Sequence, residues 1–177
     1  MYLLAITILL LLLSIAAWQD FRDYHIKNLL VLPGAVLGIF MNAILPEGLG
    51  IVGSLLGCGV GLLLLLPFYL LRVMAAGDVK LMAMVGAFLG PHVMIDVLLY
   101  VFLAGGVLAL GVAWCQGALK RLFYNTLTIL FSFTPKRMQL DSPSHMAGTK
   151  NANKLPYGVA IAAGTAIFLV THPYLNF

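Results

Sequence analysis

The chain has 177 residues, of which 62% are hydrophobic and only 9% charged, with a net charge of +4. A soluble domain carries roughly 25% charged residues, so this composition, with a mean hydropathy of +1.04, excludes a water-soluble fold and predicts an all-α, polytopic membrane protein. Nucleic acid is excluded as a partner: basic residues flanking apolar spans are explained by membrane topology, and the sequence has no basic patch with interleaved aromatics.

The first apolar run is Tyr2 to Trp18. Its core, Leu3 to Leu13, has the length of a signal-peptide core, but no basic residue precedes it, so it reads as a retained helix. A polar patch from Gln19 to Asn28 follows, and then a second run, Leu29 to Leu45, closed by Pro46-Glu47-Gly48. The third run, Leu49 to Leu71, carries Gly53, Gly57 and Gly61 four apart, a small-residue face on which another helix backbone can approach closely.

After Arg72, the segment Ala76-Gly77-Asp78-Val79-Lys80 opens a fourth helix that Gly90-Pro91 stops. About twelve residues at 1.5 Å rise give roughly 18 Å, short of the ~30 Å hydrocarbon thickness. This span therefore thins the bilayer locally or is shielded by its neighbours. The fifth run is Val93 to Trp114.

The hydrophilic stretch Cys115 to Asn153 predicts an interfacial helix over Ala118 to Phe133 and a flexible loop over Ser142 to Asn153, together a cytoplasmic segment at about 115–154 within a single domain. The last span starts at Leu155-Pro156-Tyr157-Gly158 and ends near Val170, its proline tolerated in the first helical turn. Cys58 and Cys115 stand alone in or beside apolar runs and read as packing residues. The histidines, His25, His92, His145 and His172, form no metal-binding cluster, and neither metal nor cofactor is expected.

Six spans laid across a membrane from an outside N-terminus put all ten basic residues on the cytoplasmic side: Arg22, Lys27, Arg72, Lys80, Lys120, Arg121, Lys136, Arg137, Lys150 and Lys154. Glu47 and Asp96 are then the charged side chains left outside. This is the positive-inside bias in extreme form, and it places both termini outside the cytoplasm.

The same topology sets Asp20 and Asp78 at cytoplasmic helix ends. A carboxylate near hydrocarbon costs about 2.5 to 3.5 kcal/mol, so such residues usually have a partner or a task. Two facing carboxyls can share one proton and act as an acid and base on a single water, which is peptide hydrolysis without metal or covalent nucleophile. The plainer reading of Asp78 is a cap on the fourth helix, where a carboxylate meets free N–H groups; the two roles are compatible. Asp23, three residues beyond Asp20, reads as a solvated charge beside Arg22 or Lys27.

The motifs resemble those of the type IV prepilin peptidases, six-span intramembrane aspartyl proteases. Ala75-Ala76-Gly77-Asp78-Val79-Lys80 looks like their Gly-x-Gly-Asp-Val-Lys core. Asp20-Phe21-Arg22 with Ile26 and Asn28 is similar to their Asp-x-Arg-x-x-x-Ile-Pro-Asn segment, and Leu155-Pro156-Tyr157-Gly158 with Ala160 and Gly164 matches their final-helix signature. The resemblance implies Asp20 and Asp78 as the catalytic pair, with Gly77, Lys80, Arg22, Asn28, Pro156, Tyr157 and Gly158 supporting the site or the substrate. It also implies a bacterial inner-membrane enzyme whose partner is a prepilin or pseudopilin precursor, cut after a short basic leader on the cytoplasmic face.

Two positions depart from the pattern. Ala75 stands for the first glycine, with less backbone freedom at the helix entrance, and Lys27 stands for the proline. Members that also methylate the new amino terminus carry a cytoplasmic segment with paired cysteines, whereas here Asn28 leads straight into the second span. A compact peptidase like those of tight-adherence pili is expected. The alternatives from other classes are a small ion- or proton-coupled transporter subunit relaying through Asp78 and Lys80, and a non-enzymatic pilus-assembly protein. Both leave the aspartates dispensable for cleavage.

Overall fold

In lipid, backbone N–H and C=O groups find no water, so a chain this apolar satisfies them inside helices. The computed structural model describes residues 2–23, 26–44, 48–71, 74–115 and 157–172, and every regular element among them is an α-helix. They are α1 (Tyr2–Asp23), α2 (Asn28–Ile44), α3 (Gly50–Leu70), α4 (Ala76–Leu89), α5 (Met94–Cys115) and α6 (Tyr157–Thr171). The expected interfacial helix over 118–133 and the loop over 142–153 lie outside the described residues, as do Arg72 and Pro156.

Three helices are long and apolar enough to cross a membrane, over Leu4–Asp23, Gly50–Leu70 and Met94–Val112. The other three are shorter, with α2 at 17 residues, α4 at 14 and α6 at 15. Large apolar side chains such as Leu11, Val52, Leu63, Leu103 and Val107 are exposed on the outer helix faces, where a membrane protein meets lipid.

Residues 1–106 and 156–177 form one compact unit, and 107–155 a second, of which the described part is the end of α5. Within the first unit α4 is the central helix, packed against α1, α2, α3 and α6. Asp78, Val79 and every residue from Leu81 to Leu89 are buried. Of the two ways to accommodate a short fourth helix, shielding by neighbours is the one this packing provides.

The α3–α4 contact is backbone against backbone. A side chain on Gly57 would strike the carbonyl oxygen of Gly86, and one on Gly86 would strike that of Gly57. Gly61 packs against Met82 in the same way, whereas Gly53 points at its own neighbour Leu49. Two of the three spaced glycines thus serve close approach.

The far end of α4 is closed by a polar side chain from another helix. A helix leaves its last four carbonyls without partners, and here Asn42 of α2 donates its amide to the carbonyls of Ala87 and Phe88, both at 3.0 Å. The same amide nitrogen lies 2.9 Å from Ser54 Oγ on α3. Gly90 then ends the helix with φ 78°, a left-handed conformation that suits glycine. The Gly90-Pro91 stop read from the sequence is this turn.

Candidate active site

Helix α1 runs five residues past the apolar stretch that announced it, through Gln19 to Asp23. Its buried stripe is Ala5, Leu9, Leu13, Ala16 and Asp20, steps of three and four that hold one helical face toward the core. Asp20 is thus the polar end of an apolar stripe, only 6% exposed. Asp23 and Arg22 are exposed at the end of the same helix.

Asp78 is the third residue of α4 and 4% exposed. Its Oδ2 accepts the backbone N–H of Ala75 at 3.2 Å, and its own N–H donates to the Ala75 carbonyl at 3.1 Å. The capping role is therefore present. Ala75 itself sits at φ −81°, ψ 154°, an extended conformation open to any L-residue. The alanine in place of the motif's first glycine is unstrained.

Asp20 is met from the other side by α6. The backbone N–H of Gly158 donates to Asp20 Oδ2 at 2.6 Å. Gly158 is the second residue of α6, so this N–H is one of those the helix leaves free, at the positive end of its dipole. Two buried carboxyls from separate helices that pack together are thus each held by a backbone N–H.

Gly77, immediately before Asp78, and Gly158 both face Ile26 in the α1–α2 connection. On another side of α4, Lys80 Nζ donates to Asn28 Oδ1 at 3.0 Å, joining the starts of α4 and α2. Lys27 uses the N–H that a proline would lack, donating it to Gln19 Oε1 at 3.4 Å. Tyr157, the first residue of α6, is half-buried. Among the described residues no group of three His, Cys, Asp or Glu side chains is placed to hold a metal ion.

The structure therefore gathers Asp20, Asp78, Gly77 and Gly158 in one place and joins Lys80 to Asn28 beside it, while Arg22 faces outward. Ile26, quoted only as part of a motif, belongs with the first group. Asn42 and Ser54 belong to no motif, although a lone amide in an apolar run signals a buried partner.

The sequence pattern of the type IV leader peptidase family matches residues 7–110. The match takes in Asp20, Ile26, Gly77, Asp78 and Lys80 and stops short of α6. No curated protein and no solved structure gives a match. A match over more than half of the 177 residues, holding both aspartates, makes this chain a member of the type IV leader peptidase family.

Proposed function

We propose that the chain is an aspartyl endopeptidase that removes the short leader from a type IV pilin-like precursor at the cytoplasmic face of the bacterial inner membrane. The observation that carries this reading is that α1 and α4 pack together with a buried carboxyl on each, Asp20 and Asp78, and that Ile26 meets both Gly77 beside Asp78 and Gly158, which holds Asp20.

A water held between the two carboxyls is the nucleophile. One carboxylate takes a proton as the water oxygen bonds to the scissile carbonyl carbon; the other carboxyl then gives its proton to the amide nitrogen as the C–N bond breaks. The products are a new carboxyl group on the leader and a free amino terminus on the mature chain. Gly158 N–H and Ala75 N–H hold the carboxylates in orientation through the cycle. The connection between α1 and α2 is the four residues Tyr24 to Lys27 and holds no cysteine, which favours a compact peptidase like those of tight-adherence pili.

Membranes containing the protein, incubated with candidate prepilins, test the reading. Cleavage after the leader is expected, with none by Asp78→Ala or Asp20→Asn. Full cleavage by either variant removes that residue from the site. The six-span arrangement with both termini outside is checked by reporter fusions after Glu47 and near Ser142, expected outside and inside respectively.

A further inference from the structure

Ile26 is 3% exposed although it belongs to a connection between helices and not to a helix. It packs against two bare stretches of backbone. A Cβ on Gly77 would stand 3.2 Å from Ile26 Cβ, with Cγ1 and Cδ1 at 3.6 and 3.7 Å. A Cβ on Gly158 would stand 3.0 Å from Ile26 Cδ1, and also 2.8 Å from Asp20 Oδ2. The isoleucine thus fills a notch whose walls are the peptide just before Asp78 and the residue whose N–H holds Asp20.

We propose that Ile26 is a positioning residue for the aspartate pair: a wedge that sets the separation of the amino ends of α4 and α6, and through them the separation of Asp78 and Asp20. This rests on the aspartyl peptidase reading above. A β-branched side chain is stiff at χ1, so it holds a spacing better than a flexible one. The walls are helix starts, and packed interiors do not collapse freely to fill a lost volume. Two carboxyls that must grip one water are sensitive to their spacing, because a misplacement of about 1 Å costs on the order of 100-fold in rate.

Both motif glycines line this notch. Gly77 and Gly158 are not in turns of unusual conformation, since neither has a positive φ. A side chain on Gly77 would crowd Ile26, and one on Gly158 would crowd Ile26 and Asp20 together.

The test is a cycle of Ile26→Val, Ile26→Ala, Gly77→Ala and the double variants, assayed for kcat and KM of leader cleavage beside thermal melting of the purified protein. Ile26→Ala is expected to lower kcat roughly 10- to 100-fold, with KM changed by less than about twofold. Ile26→Val keeps the Cβ branch that meets Gly77 but loses the Cδ1 that meets Gly158, so kcat falls here too, by less than in Ile26→Ala. Gly77→Ala also lowers kcat, and its effect combined with an Ile26 change is not the product of the two, because both act on one contact. Where Ile26→Ala fails to fold, the Ile26→Val and Gly77→Ala pair carries the same cycle.

A parental kcat in Ile26→Ala beside an inactive Asp78→Asn overturns the wedge alone. So does a loss confined to KM, which makes Ile26 a substrate contact, and so does a strictly multiplicative double variant. Precursors left uncleaved by the parental enzyme overturn this proposal together with the peptidase reading.

Discussion

The backbone N–H of Gly158 and the Oδ2 of Asp20 are 2.6 Å apart across 138 residues of chain. This bond ties the last described helix to the first at the carboxylate that the peptidase reading needs, and it leaves no room for a side chain at position 158.

Gly158→Ala is therefore expected to displace Asp20 directly, since the new methyl would lie 2.8 Å from its carboxylate oxygen and 3.0 Å from its Cβ. Cleavage should fall on the order of 100-fold. Assay of the purified variant, with its melting temperature recorded in parallel, separates this from misfolding. An active Gly158→Ala enzyme would mean that the Asp20 position seen here is not the working one.

The three acidic residues near the site should sort by burial. Asp20→Asn and Asp78→Asn each lose at least roughly 100-fold in cleavage, the low end for an acid or base group. Asp23, exposed one turn beyond Asp20, keeps near-parental activity as Asp23→Asn. An inactive Asp23→Asn with an active Asp20→Asn reverses the assignment.

Restoring the family's glycine should achieve nothing. Ala75 is already extended at φ −81°, ψ 154°, so Ala75→Gly relieves no strain and adds freedom to the unfolded chain. A loss of about 0.4 to 1 kcal/mol in stability is expected, with unchanged kcat. A marked gain in rate would show that the entrance to α4 needs a conformation other than this one.

Asn42→Leu is expected to destabilise the protein without touching the chemistry. It strips the carbonyls of Ala87 and Phe88 of their side-chain donor in a buried setting, at a cost of about 1 to 3 kcal/mol. Thermal melting in detergent should fall while kcat per folded molecule holds. Ser54→Ala removes one of the three contacts and should cost less.

Much of the helix order could be read from the residues, and the exceptions have physical causes. Hydropathy ended the first helix at Trp18 because polar residues follow, but helical hydrogen bonding is indifferent to side-chain polarity, and α1 continues to Asp23. That extension is what places Asp20 on a helix face. The stop after Leu89 was legible because glycine and proline act through local backbone preference. The burial of α4 was not, since an apolar side chain reads the same against lipid as against protein. Asp20 and Asp78 could be singled out from motif and charge, whereas the contacts of Ile26 could not: its neighbours, Gly77 and Gly158, come from helices far along the chain, and only the fold joins them.

Because α4 touches other helices on every side, its height is referred to those helices and not to the surrounding lipid. Tilting and local thinning, by which a lone span adapts to bilayers of different thickness, leave Asp20 in place as well, since α1 is fixed to the same core by its buried stripe and to α6 by the Gly158 bond. Asp78 therefore keeps its depth relative to Asp20 whether the host membrane is thin or thick, and lipid composition is expected to alter how the precursor arrives and not how its bond is broken.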